Sequence, residues 1–321
     1  MVISKVSKCI TLVGVCFFVF VSGCAQKIAL KLAPGQQNSY KITTYARRDI
    51  NWQGPVPKKE AFEESFTEEK VELGFTQRIQ SVDSAGKAVA RVTIDSLKYL
   101  SVVKNQTNVD FDSSKMSDAD NPLAKLIGQS YTIVFGPDNY ISSVLDLSRA
   151  QSLVKGRTSA DRAGQILLSP EAVKERQMAI LLPQQGEEQL KPGDKWSRIK
   201  TYSFGMMGVK SYEKIYTLKE IRDADGRQIA IVDMNAIPTS EVEQGFDGQQ
   251  AGKDFPRMFD TNDTYTGAGV VDLSAGCIDS YRENLRASWI TAFPPDAKSD
   301  PNEPVVLRMT ATRNYSLEKI K

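Results

Sequence analysis

Apolar and polar positions alternate along most of this chain, in stretches separated by reversals rich in Gly, Pro and Asp. A period of two predicts half-buried β-strands, because successive side chains of a strand point to opposite faces. Tyr40, Ile42 and Thr44 share one face of a first strand over 39–45. Val71, Leu73, Phe75 and Ile79 line a second strand. Asp83-Ser84-Ala85-Gly86 reverses it, and Ala88, Ala90, Val92 and Ile94 return on one face. Gly86 offers the positive φ that a tight reversal needs. Tyr131, Ile133 and Phe135, the turn Gly136-Pro137-Asp138-Asn139, and Tyr140 to Leu145 predict another hairpin. Between the first and second strands Lys58 to Lys70 mixes acids and bases around Phe62 and Phe66, a spacing of four that suits a short helix or a solvated strand end and reads better as a solvated face.

The period then changes. Pro122 to Ile127 suits one helical turn, and Ser148 can cap a short helix through Val154. Ser169-Pro170-Glu171 combines a capping hydroxyl, Pro in the first turn and an acid near the helix dipole, predicting a helix that runs to Leu182 and stops before Pro183. Beyond it the first pattern recurs. Pro192-Gly193 echoes Pro34-Gly35 and leads into a strand with Trp196, Ile199 and Tyr202. Tyr212 to Ile221, the Asp223-Ala224-Asp225-Gly226 turn and Gln228 to Ile237 echo the earlier long hairpin. After a polar loop over 240–266, Gly269 to Leu273 and Cys277 to Leu285 echo the later one. A divergent duplication and a chance likeness of two β-rich halves both account for this. Val305, Leu307, Met309 and Ala311 alternate with polar residues in a final strand, one face of which belongs against a core.

These elements predict an α+β fold, mainly antiparallel β-sheet, in two hairpin-rich halves at 34–146 and 191–321 joined by a helical connector at 147–190. The halves are expected to superpose in part, and their sheets to merge into one curved surface packed on the central helices.

The one long apolar run without alternation is N-terminal. Lys5 and Lys8 precede Ile10 to Val21, a run of about 12 residues, the length of a signal h-region and short for a bilayer span. Val21-Ser22-Gly23-Cys24 closes it and resembles the bacterial lipobox, with Val21 where Leu is commoner. That resemblance implies residues 1–23 as a signal peptide, diacylglycerol on the Cys24 sulfur, cleavage before Cys24 and acylation of the freed amine. Residues 24–33 are then a short tether. Ala25 rather than Asp after the cysteine resembles the pattern that sends lipoproteins to the outer membrane of two-membrane bacteria, facing the periplasm. An ordinary secretory signal or an N-terminal membrane anchor is the plainer alternative.

Charge and residue counts narrow the chemistry. The chain of 321 residues has 41 Lys and Arg against 39 Asp and Glu. Lys5 and Lys8 lie before Cys24 and no acid does, so the processed chain is close to neutral. That lacks the basic excess of a nucleic-acid binder. There is no histidine, which removes Ser-His-Asp and Cys-His nucleophilic sites and most zinc sites. Carboxylate pairs or a lysine base are left, and no acid pair stands out from the surface acids. Of four cysteines, Cys9 and Cys16 lie in the signal and Cys24 at the lipid site. Cys277 is then alone, without an internal disulfide partner, and reads as a small apolar packing residue.

Other constellations are weak. Asp260-Thr261-Asn262-Asp263-Thr264 opens like a calcium loop but has Tyr265 and Val271 where an EF-hand needs Gly and Glu. Gly267-Ala268-Gly269 lacks the third glycine of a dinucleotide fingerprint. Gly205-Met206-Met207-Gly208-Val209 reads as a turn with buried methionines. Trp52, Trp196 and Trp289 are too widely spaced to form a stacking platform and read as core. No catalytic, metal or cofactor residue is assigned.

The layout also resembles uncharacterised bacterial lipoproteins of similar length. Their Leu-Pro and Gly-Asp-x-Trp stretch matches Leu182-Pro183 and Gly193-Asp194-Lys195-Trp196 here. The resemblance implies fold and an envelope location, with no activity. The functional expectation is therefore a lipid-anchored, non-catalytic envelope protein that serves as an interaction or structural module for another envelope protein. The alternative is a carrier of a hydrophobic ligand such as lipid in a groove of a curved antiparallel sheet. An apolar cavity would favour the second reading, and a filled core with an exposed apolar patch the first.

Overall fold

A computed structural model describes residues 25–54, 63–136, 140–177, 181–183, 189–243, 246, 260–293 and 305–320. Among them thirteen strands form one sheet. They are β1 (Gln37–Gln53), β2 (Ser65–Val82), β3 (Ala88–Val103), β4 (Gln106–Asp112), β5 (Ser130–Phe135), β6 (Ile141–Leu145), β7 (Lys195–Ser203), β8 (Val209–Ala224), β9 (Arg227–Thr239), β10 (Asp260–Thr261), β11 (Thr264–Asp272), β12 (Cys277–Phe293) and β13 (Val305–Ile320). The helices are short: α1 (Leu147–Ser152), α2 (Ser159–Leu167) and α3 (Pro170–Gln177), with 3₁₀ turns at Met116–Asp118, Pro122–Leu126 and Gly205–Met207. The architecture is essentially all-β, which corrects the expected α+β fold. The helical connector is too small to form a layer of its own, and the two halves are parts of one sheet.

The strand order is β6-β5-β3-β2-β1-β13-β12-β11-β9-β8-β7, with β4 added on β3 and β10 on β12, and each pairing is antiparallel. The run β1-β2-β3-β5-β6 is repeated in the same direction by β7-β8-β9-β11-β12, and β13 lies between the two runs. The turns that start each run bond alike. Gly35, at φ 84°, donates to Ile79 O (2.8 Å) while Ile79 N donates to Gln36 O (2.9 Å). Gly193, at φ 98°, donates to Leu218 O (2.7 Å) while Leu218 N donates to Asp194 O (3.0 Å). Ile79 and Leu218 each sit at a break in register with the next strand.

The sheet curls strongly. On a flat sheet β13 and β7 would lie five spacings apart, roughly 24 Å, yet the Arg313 guanidinium of β13 lies 4.7 Å from the Tyr202 ring centroid of β7. At the two edges the Arg198 guanidinium of β7 sits 4.4 Å above the Tyr140 ring, just before β6. Helices α1, α2 and α3, which follow β6, and the 3₁₀ turn at Pro122–Leu126 cover the concave face of the first run. There Leu123, Leu126, Leu147, Val154, Leu167 and Val173 pack against Leu73, Phe75, Ala90, Val92 and Leu97. Over the second run the cover is thinner: Leu181, Leu182, Leu190 and Ile28.

Local signals account for the helices. Ser169 Oγ accepts from Ala172 N (3.1 Å), as its capping position predicts. Helix α3 is described to Gln177, and Leu181 to Pro183 are not helical, so the expected helix to Leu182 is too long. Helix α1 begins at Leu147 behind Asp146 rather than being capped by Ser148. Helix α2 went unforeseen although Thr158 and Asp161 make a capping box there. The turn at 137–139, Phe62 and much of the 240–266 loop lie outside the described residues. No described helix is long and apolar enough to cross a membrane.

Candidate functional site

The proposed lipid site Cys24 and the signal before it lie outside the described residues. The segment that follows docks on the second run: Gln26 and Leu190 exchange backbone hydrogen bonds of 2.8 and 2.9 Å, Lys31 N donates to Gly276 O (2.9 Å), and Ile28 is buried. The folded body thus begins within a few residues of Cys24. Cys277 is free and buried. Burial pushes its thiol above the ordinary value even though Lys319 Nζ lies 3.2 Å from the sulfur.

The acidic stretch at Asp260–Thr264 has other work. The Asp263 carboxylate accepts from Lys210 Nζ (2.7 Å), Tyr212 OH (2.9 Å) and Ser288 N (3.2 Å), which ties it to β8 and β12. Among the described residues no group of three or more Asp, Glu, Cys or His side chains could hold a metal. Trp196 stacks on Tyr216 at 5.7 Å and Trp289 meets Phe204 edge-on at 5.1 Å. Both indoles are core, as is Trp52. Met207 is buried in its turn. Gly267 and Gly269 are packing glycines: a Cβ at Gly269 would lie 2.6 Å from Leu181 Cδ2, one of the side chains that cap the concave face.

The concave face of the second run holds a polar cluster that the sequence reading did not single out. Lys214 on β8 and Glu283 on β12 form a buried ion pair. Tyr265 and Tyr281 donate to the same Glu283 carboxylate. Tyr202 and Tyr265 share a hydroxyl contact of 2.7 Å, and Tyr216 and Tyr281 one of 3.3 Å. Burial acts to raise the Glu283 carboxyl, but the ammonium and the two phenols outweigh it and hold it below the ordinary value. Burial dominates at Lys214, whose ammonium is pulled below the usual lysine value despite Glu283. The pair spans three strand spacings, about 14 Å on a flat sheet. Curvature and the absence of a side chain at Gly267, which pairs with both Met234 and Glu283, bring the two groups together.

Glu283, Tyr202 and Tyr265 also line one wall of a cleft of 280 Å³ between helices α2 and α3 and the centre of the sheet. Val71, Leu167, Ala172 and Leu285 make apolar wall, as does Ile166, which is 61% exposed. Glu69, Glu175, Arg176, Lys200, Arg313 and Tyr315 supply polar wall. Glu69 accepts from Tyr99 OH (2.6 Å). Lys200 pairs with Glu243 (3.3 Å) and reaches Glu175 at 3.9 Å. A second cleft of 370 Å³ shares Ala46, Glu69 and Arg313 with the first and adds Arg47, Arg48 and Phe204. Sites for small molecules typically occupy about 300–1,000 Å³ and are mostly apolar with a few placed polar groups, a range the two adjoining clefts reach together.

No protein-family model matches the chain, and the search of curated proteins finds no relative. Among solved structures the chain is similar to a lipovitellin, from a study of lipid–protein interactions in it, at 9% identity and TM-score 0.38, over 91% of this chain. It spans only 26% of that lipovitellin chain. It is similar to OpdQ of Pseudomonas aeruginosa at 8% identity and TM-score 0.19, over 88% of this chain and 97% of that one. It is also similar to the secretin InvG of the Salmonella SPI-1 type III secretion injectisome, at 9% identity and TM-score 0.17, over 89% and 60% of the two chains.

Proposed function

We propose that this protein is a non-catalytic carrier or sensor of an amphipathic ligand, held in the cleft between α2–α3 and the concave sheet and kept at the bacterial envelope by a lipid on Cys24. The observation that carries this reading is the cleft itself, whose wall combines the apolar side chains of Val71, Ile166, Leu167, Ala172 and Leu285 with polar groups fixed by the fold. A filled core would favour the partner-binding module instead, and an open cleft in the middle of a curled sheet argues for the binder. Among the described residues the large exposed apolar side chains, such as Val103, Leu145, Ile166 and Ile237, are spread over several elements and form no single docking face. Absence of histidine and the engagement of Glu283 and Asp263 in structural bonds argue against hydrolysis.

Native mass spectrometry of protein purified from its own envelope, followed by lipid extraction, tests the reading. The expected result is about one copurified amphiphile per chain, lost when Ala172→Trp fills the cleft. A ligand-free protein that brings down a reproducible partner instead would overturn it. Mass spectrometry of the N-terminal peptide tests the anchor. Diacylglycerol on Cys24 is expected, and each of its buried CH₂ groups contributes roughly 0.8 kcal/mol to membrane residence. An unmodified terminus at Ala25 or beyond would refute it.

A further inference from the structure

Buried cations in proteins are nearly always paired, because an uncompensated charge away from water is costly. Arg176 breaks that rule at the cleft. Its side chain is buried, one guanidinium nitrogen donates to Leu167 O (2.6 Å), and Nε has no hydrogen-bond partner. Arg313 faces the same cleft from β13 and rests against the Tyr202 ring. Among the described residues neither arginine has a carboxylate within ion-pair distance, whereas the other cations of this wall do: Lys214 has Glu283, and Lys200 has Glu243 and Glu175. Along the lining Glu69, Glu175 and Glu283 balance Arg176, Lys200 and Arg313, so the wall is neutral overall, and Arg176 and Arg313 are its cations that no carboxylate of the described residues neutralises at ion-pair distance. Tyr315 links the two positions, lying two residues beyond Arg313 on the same face of β13 and donating from its hydroxyl to Arg176 O (2.7 Å).

The geometry points to an anion-recognition site in which Arg176 and Arg313 bind the acidic head, a carboxylate or phosphate, of the ligand whose apolar part lies along Val71, Ile166, Leu167 and Leu285. Guanidinium is suited to this, since its planar fork of donors matches both oxyanions. Burial also pulls the Arg176 guanidinium below its ordinary value, a penalty that an anion in the cleft would offset.

This inference rests on the proposed ligand-binding role, and one calorimetric series separates the two. The delipidated full chain is titrated with dodecanoate, dodecyl phosphate, dodecanol and inorganic phosphate. Binding of either anionic amphiphile about tenfold or more tighter than dodecanol is expected, the loss of one charged hydrogen bond being of that size. That margin should shrink toward unity in Arg313→Gln and in Arg176→Met. Arg313 is only partly buried, so its variant decides the matter if Arg176→Met does not fold. Equal affinity for dodecanol and dodecanoate, or a margin unchanged in Arg313→Gln, would overturn the head-group assignment while leaving the ligand-binding role intact. Inorganic phosphate binding as tightly as dodecyl phosphate would keep the arginine site and refute the amphiphile. No binding of any dodecyl compound would refute both.

Discussion

The two runs of the sheet solve the same topological problem with different interiors. In the first, helices and the turns beside them press Leu123, Leu126, Val154 and Leu167 onto a concave face made of Leu73, Phe75, Ala90, Val92 and Leu97, and the interior is apolar. In the second, the equivalent face carries Tyr212, Lys214 and Tyr216 on one strand and Tyr281 and Glu283 on another, which meet across the hollow beneath the thinner cover of Ile28, Leu181, Leu182 and Leu190. Counting back four residues from the register breaks at Ile79 and Leu218, Phe75 in the first run becomes Lys214 in the second. The difference teaches that a curled sheet can fill its hollow either with a separate layer or with long amphipathic side chains that meet across it. The cleft forms where the two solutions abut, with helices on one wall and the tyrosine–lysine–glutamate cluster on the other.

The largest effect that would sharpen this contrast is expected at Lys214. Lys214→Met leaves Glu283 buried without its counter-charge and should cost about 3–5 kcal/mol in denaturant unfolding. Combining it with Glu283→Leu should recover much of that loss, and a double variant as unstable as the single one would show that the pair is not the organising interaction. In the first run, Leu97→Ala should cost about 2–5 kcal/mol through cavity formation, with no rescue by any charged substitution. A smaller effect is expected with pH. Because Glu283 titrates below the ordinary carboxylate value of 4.5 in the folded state, its contribution is present above that value and is lost as pH falls through the folded value. Glu283→Gln should therefore flatten the fall in stability below about pH 4.5, and Leu97→Ala should leave its shape unchanged. The smallest change is expected at the helical cover. Thr158→Ala removes one side of the α2 capping box and should cost about 1 kcal/mol, measured by the same unfolding curves.

The strands were legible because each is half-buried. Val305, Leu307, Met309 and Ala311 face inward as their alternation predicts, with 5% or less of each exposed. Strand ends were less legible. Strand β1 runs on through Arg47, Arg48 and Asp49 to Gln53 because Arg47 is held by Asp49 and Glu68 on the sheet itself, so charge does not mark a loop there. The buried pair did leave a trace, since Lys214 occupies an inward position between Tyr212 and Tyr216, and Glu283 one between Tyr281 and Leu285. Composition weighs such residues as surface, and only their parity places them inside. Arg176 left no such trace, because its burial depends on how α3 lies across the sheet. The merging of both runs into one curved sheet was expected, but the seam that joins them was hidden, for β13 pairs with β1 across almost the whole chain and no local pattern encodes a partner so distant.

That seam has a consequence for how the protein is made. Strand β1 is synthesised long before one of its two neighbours, β13, which pairs Ile320 with Ser39 and Val306 with Gln53. Until β13 is made, β1 and β12 each present a long row of unpaired backbone donors and acceptors, the kind of edge that recruits foreign strands. Closure must wait on a contact of very high sequence separation, which makes it slow. The nascent chain thus passes through an obligate open stage in which both runs can be folded while the middle of the sheet is missing. A stop codon between the end of β12 at Phe293 and the start of β13 at Val305 would trap it there.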